Sequence, residues 1–494
     1  DINLYGRLFT PIGGATILEC YQNNLFKGVL NGNNHTINGL FVVTEKDAGL
    51  FGASKAQSYS DLKFTNAILI SNGGSIGTLV ARVEGNTTIK NISINEQVGE
   101  EESGSLYIMF GAETDERYAG GIVGSALSSS VSITNITIDS NEKSQIYNGN
   151  IVGGLIGRAS SCKTVSISLS KNYQKLTGSY YAGGLIGSLV SSNAILSQSF
   201  NEGDIYQTCV DKSIYAVGGL IGMSDRMSGV SIRECYNSSY LSGVNIGGLV
   251  GMYYGNQALN IIDSYVSRGD CGEYVGTILN TRDNINYAED MFNKLSTIEG
   301  VNDGIVSVIA NVYDVDTTIN FNQVYSAVNN ASNTLLLTNA NPDKVKYYKT
   351  FEFTRSTDAL NIDYTKTDII QKINHEELSK PNNNMFGSWS YIWSRVSQKN
   401  NNYPVLLFTS KTWRGIEPEK KGGVYQIETV ENLVWVGEQV NSAVTTFAGD
   451  SFVVNASVLD FQKKLWFPIG YSDSKSFQGT MDFGDVTIRN LTTN

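Results

Sequence analysis

The chain has 494 residues, of which 17% are charged, with 50 glycines, 6 prolines and a net charge of −11. That acidic balance, with an isoelectric point near 4.9, argues against nucleic acid or an anionic membrane surface as the main partner. No apolar run approaches the roughly 18 residues of a spanning helix, so direct membrane insertion is not expected. Apolar residues make up 41% of the chain and recur regularly, which excludes a disordered polymer.

In chain order, the first segment is Leu8-Phe9-Thr10-Pro11-Ile12-Gly13, followed by Phe26-Lys27-Gly28 and Thr36-Ile37-Asn38-Gly39-Leu40. There is no initiator Met and no signal-peptide pattern, so Asp1 reads as a processed end or the start of a fragment. A glycine segment then repeats five times. The copies are Gly120-Gly121-Ile122-Val123-Gly124, Gly153-Gly154-Leu155-Ile156-Gly157, Gly183-Gly184-Leu185-Ile186-Gly187, Gly218-Gly219-Leu220-Ile221-Gly222 and Gly247-Gly248-Leu249-Val250-Gly251. Weaker copies stand at Gly49-Leu50-Phe51-Gly52, Gly74-Ser75-Ile76-Gly77 and Tyr274-Val275-Gly276. The steps between last glycines are 25, 47, 33, 30, 35, 29 and 25 residues.

A period of 25–35 residues fits one solenoid coil of about three short strands. Between the glycine segments lie stretches of alternating polarity, such as Val131-Ser-Ile-Thr-Asn-Ile-Thr-Ile138 and Val165-Ser-Ile-Ser-Leu169, the pattern of a strand with one buried face. The fold class expected is therefore all-β, a parallel β-helix (β-solenoid). Gly121, Gly124, Gly154, Gly157, Gly184, Gly187, Gly219, Gly222, Gly248 and Gly251 are its structural repeat glycines, needed where neighbouring coils approach closely. The 47-residue step holds Glu100-Glu101-Glu102, expected as a solvated loop.

These segments resemble the GLUG motif, named for Gly-Leu-any-Gly. The resemblance covers roughly residues 1–280, and its motif is short but recurs in register. It implies an extracellular or cell-surface protein of the adhesin type, and a similar non-catalytic region occurs in certain IgA-cleaving metalloproteases.

Residues 281–410 lose the glycine rhythm and are expected as an irregular or inserted region closing the first module. Ala288-Glu-Asp-Met-Phe-Asn-Lys-Leu295 suggests a short helix and Val306-Ser-Val-Ile-Ala-Asn-Val312 a strand. Residues 411–494 read as the start of a second module or a capping and assembly segment. Gly423-Val-Tyr425-Gln-Ile427 suggests a strand, and the following stretch a helix capped by Thr429 with Val430, Leu433, Gly437 and Val440 on one face. Leu465-Trp466-Phe467-Pro468-Ile469-Gly470, Phe477-Gln478-Gly479 and Thr487-Ile488-Arg489-Asn490-Leu491 then repeat the three N-terminal segments in order. The chain thus reads as one register of a tandem array, or as a chain whose end complements its beginning.

Chemistry-bearing motifs are sparse. His375-Glu376-Glu377-Leu378-Ser379 begins like the zinc-protease H-E-x-x-H but lacks the second His. His35 aligns with Val486 in the terminal copy, so a catalytic role is not expected. Gly73-Gly74-Ser75-Ile76-Gly77 matches G-x-S-x-G only as a degenerate glycine segment. Asp314-Val-Asp316-Thr-Thr318 has Tyr325 where a calcium loop would close on Glu, so no cofactor, calcium included, is predicted. Cys20, Cys162, Cys209, Cys235 and Cys271 form no C-x-x-C pair and read as small apolar fillers, with a bridge between adjacent coils left open.

Glu202, Asp204, Asp263, Asp270 and Glu273 stand in comparable parts of successive coils, which leaves a β-helix polysaccharide lyase or hydrolase as an alternative. Trp389 and Trp393 leave a glycan-binding adhesin as another. Sequons at Asn34, Asn86, Asn91, Asn135, Asn237, Asn330, Asn455 and Asn490 permit N-glycosylation. The favoured expectation is a secreted, non-enzymatic structural or adhesive repeat protein that associates with other copies of itself or adjacent modules, and with glycans as a further partner class.

Overall fold

The computed structural model describes residues 1–13, 25–95, 105–111, 116–139, 144–208, 215–225, 228–243, 245–254, 257–266, 415–441, 445–461, 466, 468–470 and 476–491, together with short strands between 307 and 406. The chain divides into two compact units, Asp1–Met385 and Phe386–Asn494.

Unit 1 is a parallel β-solenoid, as the repeats predict. Each coil crosses one sheet once and the other twice. In a representative coil the strands are Ser130–Ile138, Gln145–Gly153 and Ile156–Ser160. Every strand pairs in parallel with its counterpart in the next coil. One interior row therefore runs through Leu30, Tyr59, Ile89, Ile133, Ile167, Leu196, Ile232 and Ile261. From Tyr59 onward these side chains are buried, because alternation sends every second residue inward and each coil is covered on both sides.

The glycine segments form the corner between the two strands of the second sheet. A Cβ on Gly154 would stand 2.0 Å from the carbonyl oxygen of Gly184 in the next coil, and one on Gly157 would stand 2.5 Å from that of Gly124 in the preceding coil. No side chain fits at either distance. At the same corner the missing Cβ atoms make room for buried asparagines. Asn172 Nδ2 donates to Asn201 Oδ1 at 2.7 Å, and Asn201 Nδ2 donates to Asn237 Oδ1 at 3.0 Å. The row is aliphatic on both sides of the three asparagines, with Ile138 before Asn172 and Val266 after Asn237. Val266 cannot accept a hydrogen bond, and Asn237 Nδ2 is left buried without a partner.

A second ladder occupies the kink within the long strand. Asp61, Asn91, Asn135, Leu169, Gln198, Glu234 and Asp263 all take positive φ. Asn91 Nδ2 donates to Asp61 Oδ1 at 2.7 Å and Asn135 Nδ2 to Asn91 Oδ1 at 2.9 Å. Asn and Asp hold four of these seven places, and their short polar side chains tolerate the left-handed conformation.

Loss of the glycine rhythm does not end the stack. Ile319–Ser326 pairs in parallel with Leu259–Val266, Val345–Tyr348 and Thr350–Phe353 pair with Ile319–Ser326, and Ile370–Ile373 follows Thr350–Phe353. Strands before and after the expected boundary at residue 280 thus pair with one another. The backbone ladder asks only for extended strands of matching length, while the glycines serve one corner. The strand expected at 306–312 is present as Ser307–Val312. The helix expected near 288–295, the acidic loop at 100–102 and Cys20, Cys209 and Cys271 lie outside the described residues.

Unit 2 carries the predicted strand and helix. Val424–Ile427 pairs in parallel with Ser451–Val454, which pairs with Thr480–Asp482, and Val458–Asp460 pairs with Thr487–Arg489. The helix Val430–Asn441 turns Val430, Leu433, Val436 and Val440 onto a core with Ile427, Phe447, Phe452, Leu459 and Phe461. Its N-terminus is closed by Asn432, whose Oδ1 accepts from the backbone N–H of Glu428 and of Thr429. The Thr429 N–H contact is the reciprocal half of a capping box, and the Thr429 hydroxyl donates to Asn432 Oδ1 at 3.4 Å, so the expected cap by Thr429 is corrected to one by Asn432.

Candidate functional site

The repeat between the two ends of the sequence is a structural equivalence. Ile2 pairs with Ile37 and Asn3 with Asn38 in the first coil, as Leu459 pairs with Ile488 and Asp460 with Arg489 in unit 2. Leu4 N–H donates to the Asn38 carbonyl at 2.8 Å, and Phe461 N–H to the Arg489 carbonyl at 2.9 Å. A Cβ on Gly28 would stand 2.9 Å from the Phe26 ring, and one on Gly479 the same distance from the Phe477 ring. Asp1–Leu4 thus matches Val458–Phe461, an equivalence the motif comparison missed. Its signal was the spacing from Ile2 to Leu8, which repeats from Leu459 to Leu465.

The two equivalent coils are covered on opposite sides. In unit 1, Val29–Asn38 is paired along its length with Ser58–Thr65 of the following coil, but on its other side, among the described residues, only at Ile37 and Asn38. In unit 2, Thr480–Asp482 and Thr487–Arg489 are paired with preceding strands, and among the described residues nothing follows them. Exposure records the difference. Ile37 is 7% exposed and its counterpart Ile488 46%; Leu40 is fully buried and Leu491 is 48% exposed. On the other side the order reverses, with Ile2 at 55% and Leu459 at 1%.

Each open side is apolar and, among the described residues, has no strand partner beyond Ile2–Asn3. Ile2, Leu8, Ile12 and Val29 are exposed at the first coil, and Phe483, Ile488 and Leu491 at the last. Large apolar side chains beside unpaired strand edges are what a further strand or coil would cover. On the covered side of unit 2, Lys420 Nζ meets Asp450 Oδ1 at 2.8 Å, and this hydrogen bond raises the Lys420 pKa.

Of the carboxylates singled out in the sequence, the described ones, Glu202, Asp204 and Asp263, do not share one row. Glu202 Oε1 accepts from the Tyr236 hydroxyl at 2.6 Å, and Asp204 Oδ1 from the Tyr240 N–H at 2.9 Å. Asp263 is buried in the kink ladder beside Glu234, a different row from that of Glu202. The expectation that these residues hold corresponding places is thereby corrected: chain spacing within a coil does not report which corner a residue turns. Asp270, Glu273, His375, Asp314, Asp316, Trp389 and Asn330 lie outside the described residues, as does the Trp393 side chain. Gly74 to Gly77 is a strand paired with Arg117–Gly120, confirming a rung and not a strand–turn–helix elbow. His35 is exposed against Asp1. Among the described residues no three His, Cys, Asp or Glu side chains gather as a metal site.

The sequons also separate. Asn34, Asn86, Asn455 and Asn490 are exposed. Asn91 and Asn135 are half-buried donors in the kink ladder. Asn237 is fully buried against Gly219, so a glycan there is incompatible with the folded coil. Cys162 and Cys235 are both buried free thiols, and burial pushes the Cys235 pKa up to about 12.

No family model and no curated protein matches this chain. Among solved structures, a putative immunoglobulin A1 protease from Bacteroides ovatus aligns with 77% of this chain and 78% of its own, at 15% identity and a TM-score of 0.30. A likeness at that score carries no argument about function, and the fold assignment rests on the strand pairing itself.

Proposed function

We propose that this chain is a non-enzymatic structural module of an extracellular surface or filament protein, and that it associates with copies of itself through its open coil faces. The observation that carries this reading is the pair of equivalent coils covered on opposite sides, with Ile488 and Leu491 exposed where Ile37 and Leu40 are buried. A parallel stack supplies a stiff body that lengthens by adding coils, and the resemblance to surface-protein repeats is consistent with that use. The reading predicts assemblies larger than a monomer that depend on residues 412–494. Electron microscopy and light scattering of the full chain beside a variant lacking those residues test it. A monomeric full chain, or assembly unchanged by the deletion, would sink the proposal.

A further inference from the structure

We infer that two copies join by parallel strand addition, Thr480–Asp482 of one copy pairing with Val29, Leu30 and Asn31 of a second. This rests on the self-association reading and assigns its partner surfaces. Thr480–Asp482 is the last member of the order Val424–Ile427, Ser451–Val454, Thr480–Asp482, and among the described residues its outer edge is open. Val29–Asn38 begins the order that continues through Ser58–Thr65 and Thr87–Ile94, and the edge at Val29, Leu30 and Asn31 has no strand partner on its outer side among the described residues. Both ladders are parallel and both strands belong to the same coil type, so joining them extends one sheet at the ordinary strand spacing of about 4.8 Å. For Thr487–Arg489 of the first copy to lie beside Ile37 and Asn38 and cover Ile488, it must displace Ile2–Asn3, the two-residue strand held there.

The corners indicate why the occupant is this first coil and not a coil like the second. Gly32, Asn33 and Asn34 together face the single kink residue Asp61, since Asn31 pairs with Ser60 and His35 with Leu62. A Cβ on Gly32 would stand 2.5 Å from the Asp61 carbonyl oxygen. Phe483 occupies the place of Gly32 in unit 2, followed by Gly484, whose φ of 51° matches the 47° of Asn33. A covering coil with the one-residue kink of Asp61 would therefore meet the Phe483 side chain. Within unit 2, residues 483–486 lie opposite an equally long turn, 454–457, because Val453 pairs with Asp482 and Val458 with Thr487. The 32–35 turn of a second copy repeats that match. The two faces differ, so the contact is head-to-tail, and each joined copy keeps a face of either kind through which further copies add.

The test uses full-length Val29→Cys and Thr480→Cys variants, both at exposed positions. Partner residues on adjacent strands lie within disulfide reach, about 4.4–6.8 Å between Cα atoms. Mixing the two single variants under mild oxidation should give a reducible cross-linked dimer that neither forms alone. The double variant should give a ladder of multimers on a non-reducing gel. No cross-link in the mixture, with assembly still lost on removal of 412–494, would overturn this edge pairing and leave the self-association reading standing. Assembly indifferent to 412–494 would overturn both. A double variant that bridges only within one chain would overturn the second copy as occupant.

Discussion

The coil at 2–38 and the coil at 458–489 share turns, register and a Phe-x-Gly corner, yet one is bare where the other is covered. In unit 1 the coil supports the stack that follows it. In unit 2 it closes a core made by a strand and a helix that precede it. The comparison separates what a coil is from what it does: its internal geometry is fixed locally, while the worth of each apolar side chain depends on which neighbour lies across the ladder. Buried and exposed copies of one position in a single chain provide an internal control.

The largest effect expected is at that position. Ile37→Ala should destabilise the first coils by about 3 kcal/mol, the ordinary cost of emptying a buried aliphatic site. Ile488→Ala should cost monomeric unit 2 no more than about 0.5 kcal/mol. Urea unfolding followed by hydrogen exchange of the two coils measures both, and equal costs would break the comparison. Next comes the corner. Gly32→Phe should cost about 2 kcal/mol by forcing Asp61 and Leu62 away. Phe483→Gly should cost unit 2 less than about 1 kcal/mol.

The smallest effect distinguishes the units by pH. Asp47, buried in unit 1, has its pKa raised by burial, opposed by the Arg82 guanidinium at 3.6 Å. The folded form then holds its proton more tightly than the unfolded form. That contribution is present below the ordinary carboxylate range and is lost as pH rises through the raised value. Asp47→Asn should flatten this part of the pH dependence in unit 1 and leave unit 2 unchanged; an unaltered slope in urea midpoints across the acid range would count against it.

Much of this was legible in the residues. The glycine corners, the alternating strands and the terminal repeat all appear because a solenoid coil touches only its neighbours, so its requirements recur in every copy. Less legible was what each polar side chain meets. Asn237 reads as a sequon and is an interior ladder residue; Asp263 reads as one of a set of surface acids and is a kink residue. Both depend on the turn in which the residue falls, and loops of different length blur that register along the chain. The continuation of the sheets to Ile370–Ile373 was hidden for a related reason, since backbone pairing needs no signature residue.

The sequence by itself determined the parallel stack, the close-approach glycines and the helix of unit 2, because periodicity and side-chain size are local properties. Only the tertiary structure decided that Ile488 and Leu491 are exposed and that Ile37 and Leu40 are not. Nothing in those side chains distinguishes the two coils; the strand lying across the ladder does.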